Sequence, residues 1–213
     1  HVIVHANTRL DRAQSCVDDI IADGGSAEAI ALDLSLETAA MEVLSDLVAE
    51  QPIQVLVHSV GRQIDMPFAA MELKDWTSVV DANLNSFFVA LRPLILPMIR
   101  SRWGRVIAIS SLTGVRGNRG QTNYAAAKGG FLPLMKSLTL EYGSRGVTAN
   151  VVAPGLIETE DTKALKNYAD LIKMTPAKRA GQPAEVAALV GFLSSPEAGY
   201  ISGQQISMDG GSS

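Results

Sequence analysis

A chain of 213 residues, 47% hydrophobic and 19% charged, is long enough for one domain with a sizeable core and too apolar for disorder in bulk. Its 18 basic and 22 acidic side chains give a net charge of −4, the wrong sign for a nucleic-acid partner. The single Cys16 excludes an intramolecular disulfide and a multi-cysteine metal site, and His1, His5 and His58 offer no metal set in its place. No apolar run reaches the roughly 18 residues of a membrane span, because residues 86–99 are interrupted by Arg92, Pro93 and Pro97. No signal peptide is visible either, so the expectation is a soluble cytoplasmic protein with no membrane partner.

Short β-branched runs alternate with longer helical patterns. Val2–Ala6 reads as a strand, and Leu10–Ala22 carries helical spacing that Gly24 and Gly25 stop. Residues 29–32 form a second strand ending at Asp33, Glu37–Glu50 a second helix, and residues 53–57 a third strand. The pattern predicts one long helix over residues 73–100, with its prolines bending the last third. A strand at 106–110 opens onto a loop of Gly, Arg and Asn; a helix at 124–142 and a strand at 147–152 follow. Helices at 161–174 and 184–193 precede a last strand, Gln205–Met208. Strands separated by helices of this length need crossover connections, so the sheet is parallel, with helices on both faces. The expectation is one doubly wound α/β domain over residues 1–213, its ligand beyond the carboxyl ends of the strands.

The sharpest chemical signal is Tyr124-Ala125-Ala126-Ala127-Lys128, with Ser111 thirteen residues upstream at a strand end. Positions i and i+4 share one helix face, so the Lys128 ammonium lies near the Tyr124 phenol and is expected to lower its pKa toward the working range. Ser111 meets Tyr124 from the strand end and donates a hydrogen bond to a carbonyl oxygen becoming an alkoxide. Taken alone, the same spacing also describes a surface helix with an ordinary lysine.

Five segments remove that ambiguity: Asp81-Ala82-Asn83-Leu84-Asn85, the run from Gly104 to Ser111, Asn123-Tyr124-Ala125-Ala126-Ala127-Lys128, Asn150-Val151-Val152-Ala153-Pro154-Gly155, and Asp209-Gly210-Gly211. In order and spacing they resemble the classical short-chain dehydrogenase/reductase family, and are especially similar to its β-ketoacyl-acyl-carrier-protein reductases. The resemblance implies a Rossmann-like fold and a catalytic tetrad. Asn83 helps hold a water through which protons reach Lys128, Ser111 polarises the substrate carbonyl, Tyr124 delivers the proton, and Lys128 binds the nicotinamide ribose. It also implies cofactor contacts along Asn7 and Arg9, Asp33 and Leu34, Ser59 and Gly61, and Pro154, Gly155, Ile157 and Thr159, together with Tyr124 and Lys128. Without that context Pro154-Gly155 is a turn and Asp33 a helix cap. The turn Ala6-Asn7-Thr8-Arg9 has no acid before Asp11 and carries a cation at Arg9, which favours NADP(H) over NAD(H). Arg9 also reads as a solvated residue at a helix start.

Two departures stand out. The family's Thr-Gly-x-x-x-Gly-x-Gly turn, whose N–H groups cradle the pyrophosphate, is absent. The expectation is that about thirty residues before His1 supply a strand, that turn and a helix, the strand lying between those at 2–6 and 53–57. The second departure is His58-Ser59-Val60-Gly61, where relatives read Asn-Asn-Ala-Gly; His58 either substitutes structurally for an amide or titrates near neutrality. Arg102 and Arg145 match positions that dock the acidic carrier protein in similar reductases, and Arg116 and Arg119 add positive charge near the substrate mouth. The family also suggests a homotetramer, with Phe87, Phe88 and Phe131 as interface or core. The implied reaction is NADPH-dependent reduction of a 3-oxoacyl thioester on acyl carrier protein. The alternatives are reduction of another ketone (polyketide, sugar or small carbonyl) and a catalytically silent structural subunit.

Overall fold

In the computed structural model, which describes residues 1–213, every strand is parallel and helix-connected, but the strands divide between two sheets. β1 (Val2–Ala6) and β2 (Ala27–Ala31) pair with each other across helix α1 (Leu10–Ala22). Helix α2 (Glu37–Glu50) then leads to β3 (Val55–His58), the first strand of the second sheet. In that sheet β3, β4 (Gly104–Ile109), β5 (Val147–Pro154) and β6 (Gln205–Met208) lie in chain order. β1 bonds only to β2 and β3 only to β4, so the single expected sheet is divided where the sequence analysis places a further strand.

The helix expected over residues 73–100 is two helices, α3 (Leu73–Val80) and α4 (Ser86–Ser101), joined by a π-helical turn at Asp81–Asn85. Asn83 accounts for the turn: its side-chain amide donates to the Val79 carbonyl at 2.8 Å, taking the acceptor that its own backbone N–H would use in an α-helix. Pro93 and Pro97 sit inside α4 without ending it. By length and mean hydropathy (1.3) Leu73–Ser101 would also suit a membrane span, a match the proline-interrupted reading did not anticipate. It is instead the core helix, with Phe87, Leu94 and Met98 almost wholly buried.

After β4 the chain forms a short helix, α5 (Leu112–Arg116), where the sequence suggests only loop. Ser111 caps it, its hydroxyl oxygen accepting from the Thr113 N–H at 3.1 Å. The 124–142 helix is α6 (Thr122–Gly129) and α7 (Phe131–Tyr142), and Gly130 between them keeps helical angles. Residues 161–174 divide into α8 (Glu160–Lys163) and α9 (Tyr168–Met174), and α10 (Pro183–Ser194) completes the helices.

The second sheet buries both faces, as its apolar strands require. Val106 and Ala108 pack with Phe87, Phe131 and Met135 from α4 and α7, while Ile107 and Val152 pack with Leu193 of α10. This alternation is the period of two along a strand. Of the three phenylalanines left open by the sequence, Phe87 and Phe131 are core and Phe88 is exposed.

Candidate active site

The carboxyl ends of β3, β4 and β5 bring the four expected side chains together. Ser110 and Ser111 follow β4, and the structure separates their roles. Ser110 is buried and its hydroxyl donates to the Lys128 carbonyl at 2.8 Å. Ser111 is half-buried and lies within hydrogen-bonding reach of the Tyr124 phenol. One turn further along α6, the Lys128 ammonium sits 5.8 Å from the centre of the Tyr124 ring. It donates to the Ile109 carbonyl at 2.9 Å and to the Val60 carbonyl at 3.2 Å, and forms no ion pair.

Burial without a carboxylate lowers the Lys128 pKa to about 8. Burial also raises the Tyr124 pKa; the Ser111 hydrogen bond opposes this rise and the Asp65 charge adds to it. The lowering of the phenol by Lys128 expected from the spacing is not seen: burial sets the direction, and the opposing contribution comes from Ser111. Asn83 is fully buried, its amide donating to the Arg62 and Val79 carbonyls at 2.7 and 2.8 Å. Its Oδ1 has no partner. Gly61 passes close beside this group: a β-carbon there would stand 2.9 Å from Asn83 Oδ1 and 3.2 Å from Lys128 Nζ. An unpartnered buried acceptor and an ammonium with one uncommitted proton thus meet beside a glycine loop.

His58 belongs to the core. Its ring, 2% exposed, packs edge-on against Phe87 at 5.4 Å and bonds through Nε2 to the Ser86 hydroxyl at 3.0 Å. Burial, reinforced by the Lys128 charge, lowers its pKa to about 3, so the titration near neutrality considered from the sequence does not occur.

The expected cofactor residues occupy two regions. At the ends of β1 and β2, Asn7 and Arg9 are exposed, and the Arg9 guanidinium forks onto Asp11 at 2.9 and 2.8 Å. Asp33 accepts from the Ser35 N–H and hydroxyl at 2.9 and 2.7 Å, a local turn ahead of α2, and the Leu34 side chain is in the core. Ser59 is exposed after β3. At the end of β5, Gly155 is required by close approach, since a β-carbon there would lie 2.7 Å from the Asp209 β-carbon. The Ile157 carbonyl accepts the Thr162 hydroxyl at 2.6 Å, and Thr159 caps α8 from an exposed position.

Arg102 and Arg145 neighbour each other, with the Arg102 guanidinium donating to the Ser144 carbonyl at 3.1 Å. They precede β4 and β5, and so lie at the opposite end of the sheet from Ser111, about 20 Å away along a strand. Arg116 is turned to the Ser212 carbonyl. Sequence reasoning missed Asp65 and Gln121 and gave Asn123 no role beyond its place in the Tyr124 segment, yet these three fasten the approach to Tyr124; no spacing pattern marks them as a group.

Residues 2–213 match the family model described as enoyl-(acyl carrier protein) reductase. The chain is 36% identical over 212 residues to the 3-oxoacyl-(acyl-carrier-protein) reductase FabG of Aggregatibacter actinomycetemcomitans, covering 99% of this chain and 88% of that protein. A Synechocystis 3-oxoacyl-(acyl-carrier-protein) reductase is 37% identical over 212 residues, covering 99% and 85%. FabG of Escherichia coli K12 is 38% identical over 191 residues, covering 88% and 78%. The chain belongs to the short-chain dehydrogenase/reductase family. It is an oxidoreductase of that family, which binds a nicotinamide cofactor, and is similar to 3-oxoacyl-(acyl-carrier-protein) reductases.

Proposed function

We propose that this enzyme uses NADPH to reduce a 3-oxoacyl thioester held on acyl carrier protein, giving the 3-hydroxyacyl product. The observation that carries the reading is the convergence of a half-buried phenol, a serine hydroxyl and a buried unpaired ammonium at one set of strand ends. The nicotinamide group fits beside them: Lys128 has a proton to offer a ribose hydroxyl, Asn83 Oδ1 lacks a donor, and Gly61 leaves room between the two. Ile157 and Thr159 would hold the carboxamide end, with Pro154 and Gly155 shaping that loop, while Asp33, Leu34 (through its backbone) and Ser59 would line the adenosine end.

When bound, the cofactor supplies a hydride to the substrate carbonyl carbon. The carbonyl electron pair moves to oxygen, where Ser111 donates a hydrogen bond and Tyr124 gives up its proton. Lys128 steadies the phenolate left behind, and Asn83 holds the water through which that proton is replaced. Arg9, with Asn7 beside it, supports NADPH over NADH. Its pair with Asp11 lies in solvent, where screening leaves the guanidinium free to turn to a phosphate dianion.

Two assembly features belong to the same proposal. The exposed Phe88 and Leu96 of α4, with Leu140 of α7, support a homotetramer closed through those helices. Arg102 and Arg145 form a basic corner that would meet an acidic carrier protein, and its distance from Ser111 suggests that a carrier docked there serves the site of a neighbouring subunit. A cytoplasmic location accords with a lone free cysteine.

The test follows NADPH oxidation by the purified protein with acetoacetyl and 2-enoyl thioesters on carrier protein, and with NADH in place of NADPH. Oxidation of NADPH with the 3-oxo substrate alone is expected. Turnover confined to the enoyl thioester would favour the reaction named by the family description, turnover of free ketones only a different carbonyl substrate, and neither binding nor turnover a silent subunit.

A further inference from the structure

The residues that fasten Tyr124 come from outside the tetrad. Residues 64–66, after β3, are joined to the chain just before Tyr124 by three rungs. Asn123 Nδ2 donates to the Ile64 carbonyl at 3.1 Å, and Gln121 Nε2 donates to both carboxylate oxygens of Asp65 at 3.0 and 2.9 Å. The Met66 N–H donates to the Gly120 carbonyl at 2.9 Å. Gln121, only 7% exposed, also accepts from the Thr113 hydroxyl at 3.1 Å and the Asn118 amide at 2.9 Å. Its carbonyl oxygen therefore has two donors, and its amide nitrogen is turned onto the Asp65 carboxylate. Thr113 in turn donates its N–H to Ser111 Oγ at 3.1 Å. One buried amide thus ties together Asp65, the turn carrying Ser111 and the start of the helix carrying Tyr124.

We propose that Gln121 and Asp65 are positioning residues for the proton transfer. Gln121 fixes Ser111 and Tyr124 relative to one another, and the Asp65 carboxylate keeps the Tyr124 phenol in its protonated, donating form. The inference rests on the reading of Tyr124 as proton donor.

The charges around the phenol are few. Lys128, on the same helix, is a cation 5.8 Å from the ring centre and favours the phenolate. Asp65, from the facing segment, opposes it, and its charge adds to the rise that burial gives the Tyr124 pKa. On α3 and at its cap, Lys74 pairs with Glu72, and Asp75 accepts from the Glu72 N–H. In the π-helical turn Asp81 accepts from Asn85, and on α5 Arg116 is turned to Ser212. Asp65 is therefore the carboxylate that acts on the phenol, and the Lys128 shift comes from burial alone. A donor poised this way suits reduction: the proton is present at neutral pH and is lost only when the pH climbs through a raised pKa.

Steady-state reduction of a 3-oxoacyl thioester across pH tests this in the parent enzyme and in Asp65→Asn, Gln121→Ala and Tyr124→Phe. Asparagine keeps an acceptor for Gln121 and removes the charge, so Asp65→Asn should hold the parental melting temperature while its alkaline loss of kcat moves to lower pH. Gln121→Ala should lower kcat about ten- to a hundred-fold with a smaller change in KM, as expected for a misplaced reacting pair. An Asp65→Asn profile that superimposes on the parent overturns the proposal, even where Gln121→Ala fails to fold. Parental turnover by Tyr124→Phe would instead remove the proton-donor reading itself.

Discussion

The residues proposed to act around the two sheets sit in different surroundings. Around the four-stranded sheet the chemistry is enclosed: β5 is buried along nearly its whole length, and Asn83 and Lys128 are almost inaccessible. Around β1 and β2 the strands are half-exposed and the residues expected to meet the nucleotide, Asn7 and Arg9, stand in solvent. Burial shifts pKa values in the first region, to about 8 at Lys128 and about 3 at His58, because few charges there compensate desolvation. In the second region the large shift at Asp11, down to about 2, comes from its exposed partner Arg9. The proposed proton-transfer residues lie where water is excluded, and the residues proposed to choose the cofactor lie where charge is displayed.

Substitutions should therefore have large effects in the enclosed region and graded ones in the exposed region. Lys128→Met is expected to lower turnover about a hundred-fold or more, measured as kcat with saturating NADPH. It also bears on stability with a definite sign. A lysine with a folded pKa near 8 and an unfolded value near 10.5 binds fewer protons when folded between those limits. Stability of the parent relative to Lys128→Met should then rise as the pH increases from about 8 toward 10.5, readable by denaturant titration at several pH values. Gly155→Ala should cost about 1–3 kcal/mol, because its β-carbon meets Asp209 at 2.7 Å, and differential scanning calorimetry would register the loss.

In the exposed region, Arg9→Glu should raise the KM for NADPH about tenfold while leaving that for NADH nearly unchanged. The smallest effect is expected at the far end of the sheet. Arg102→Glu should raise the KM for carrier-bound substrate a few-fold and spare a small thioester. Equal losses on both substrates would argue against carrier docking at that corner.

The parallel, helix-connected fold was legible because short β-branched, apolar runs alternate with stretches of helical spacing along the chain. The nearness of Lys128 to Tyr124 was legible because helical spacing places it one turn further along, whereas a tetrad with Asn83 and Ser111 was implied only by the family resemblance. Less accessible were features set by tertiary bonds. The π-helical turn depends on the Asn83 amide reaching both Val79 and Arg62, which are four and 21 residues away. α5 is only five residues long, too short for its period to show. His58 was open between a structural substitute for an amide and a group titrating near neutrality, and the Ser86 and Phe87 contacts that decide this come from 28 residues or more away. The Asp65–Gln121 bond spans 56 residues of sequence and leaves no local trace.

The central claim is that a proton held by Tyr124 is passed to the substrate oxygen within the enclosed region. Its most direct test compares the parent with Tyr124→Phe for NADPH binding and for turnover of the 3-oxoacyl carrier thioester. The account predicts intact binding with kcat reduced about a hundred- to ten-thousand-fold. Parental kcat in Tyr124→Phe, with binding equally intact, would contradict it.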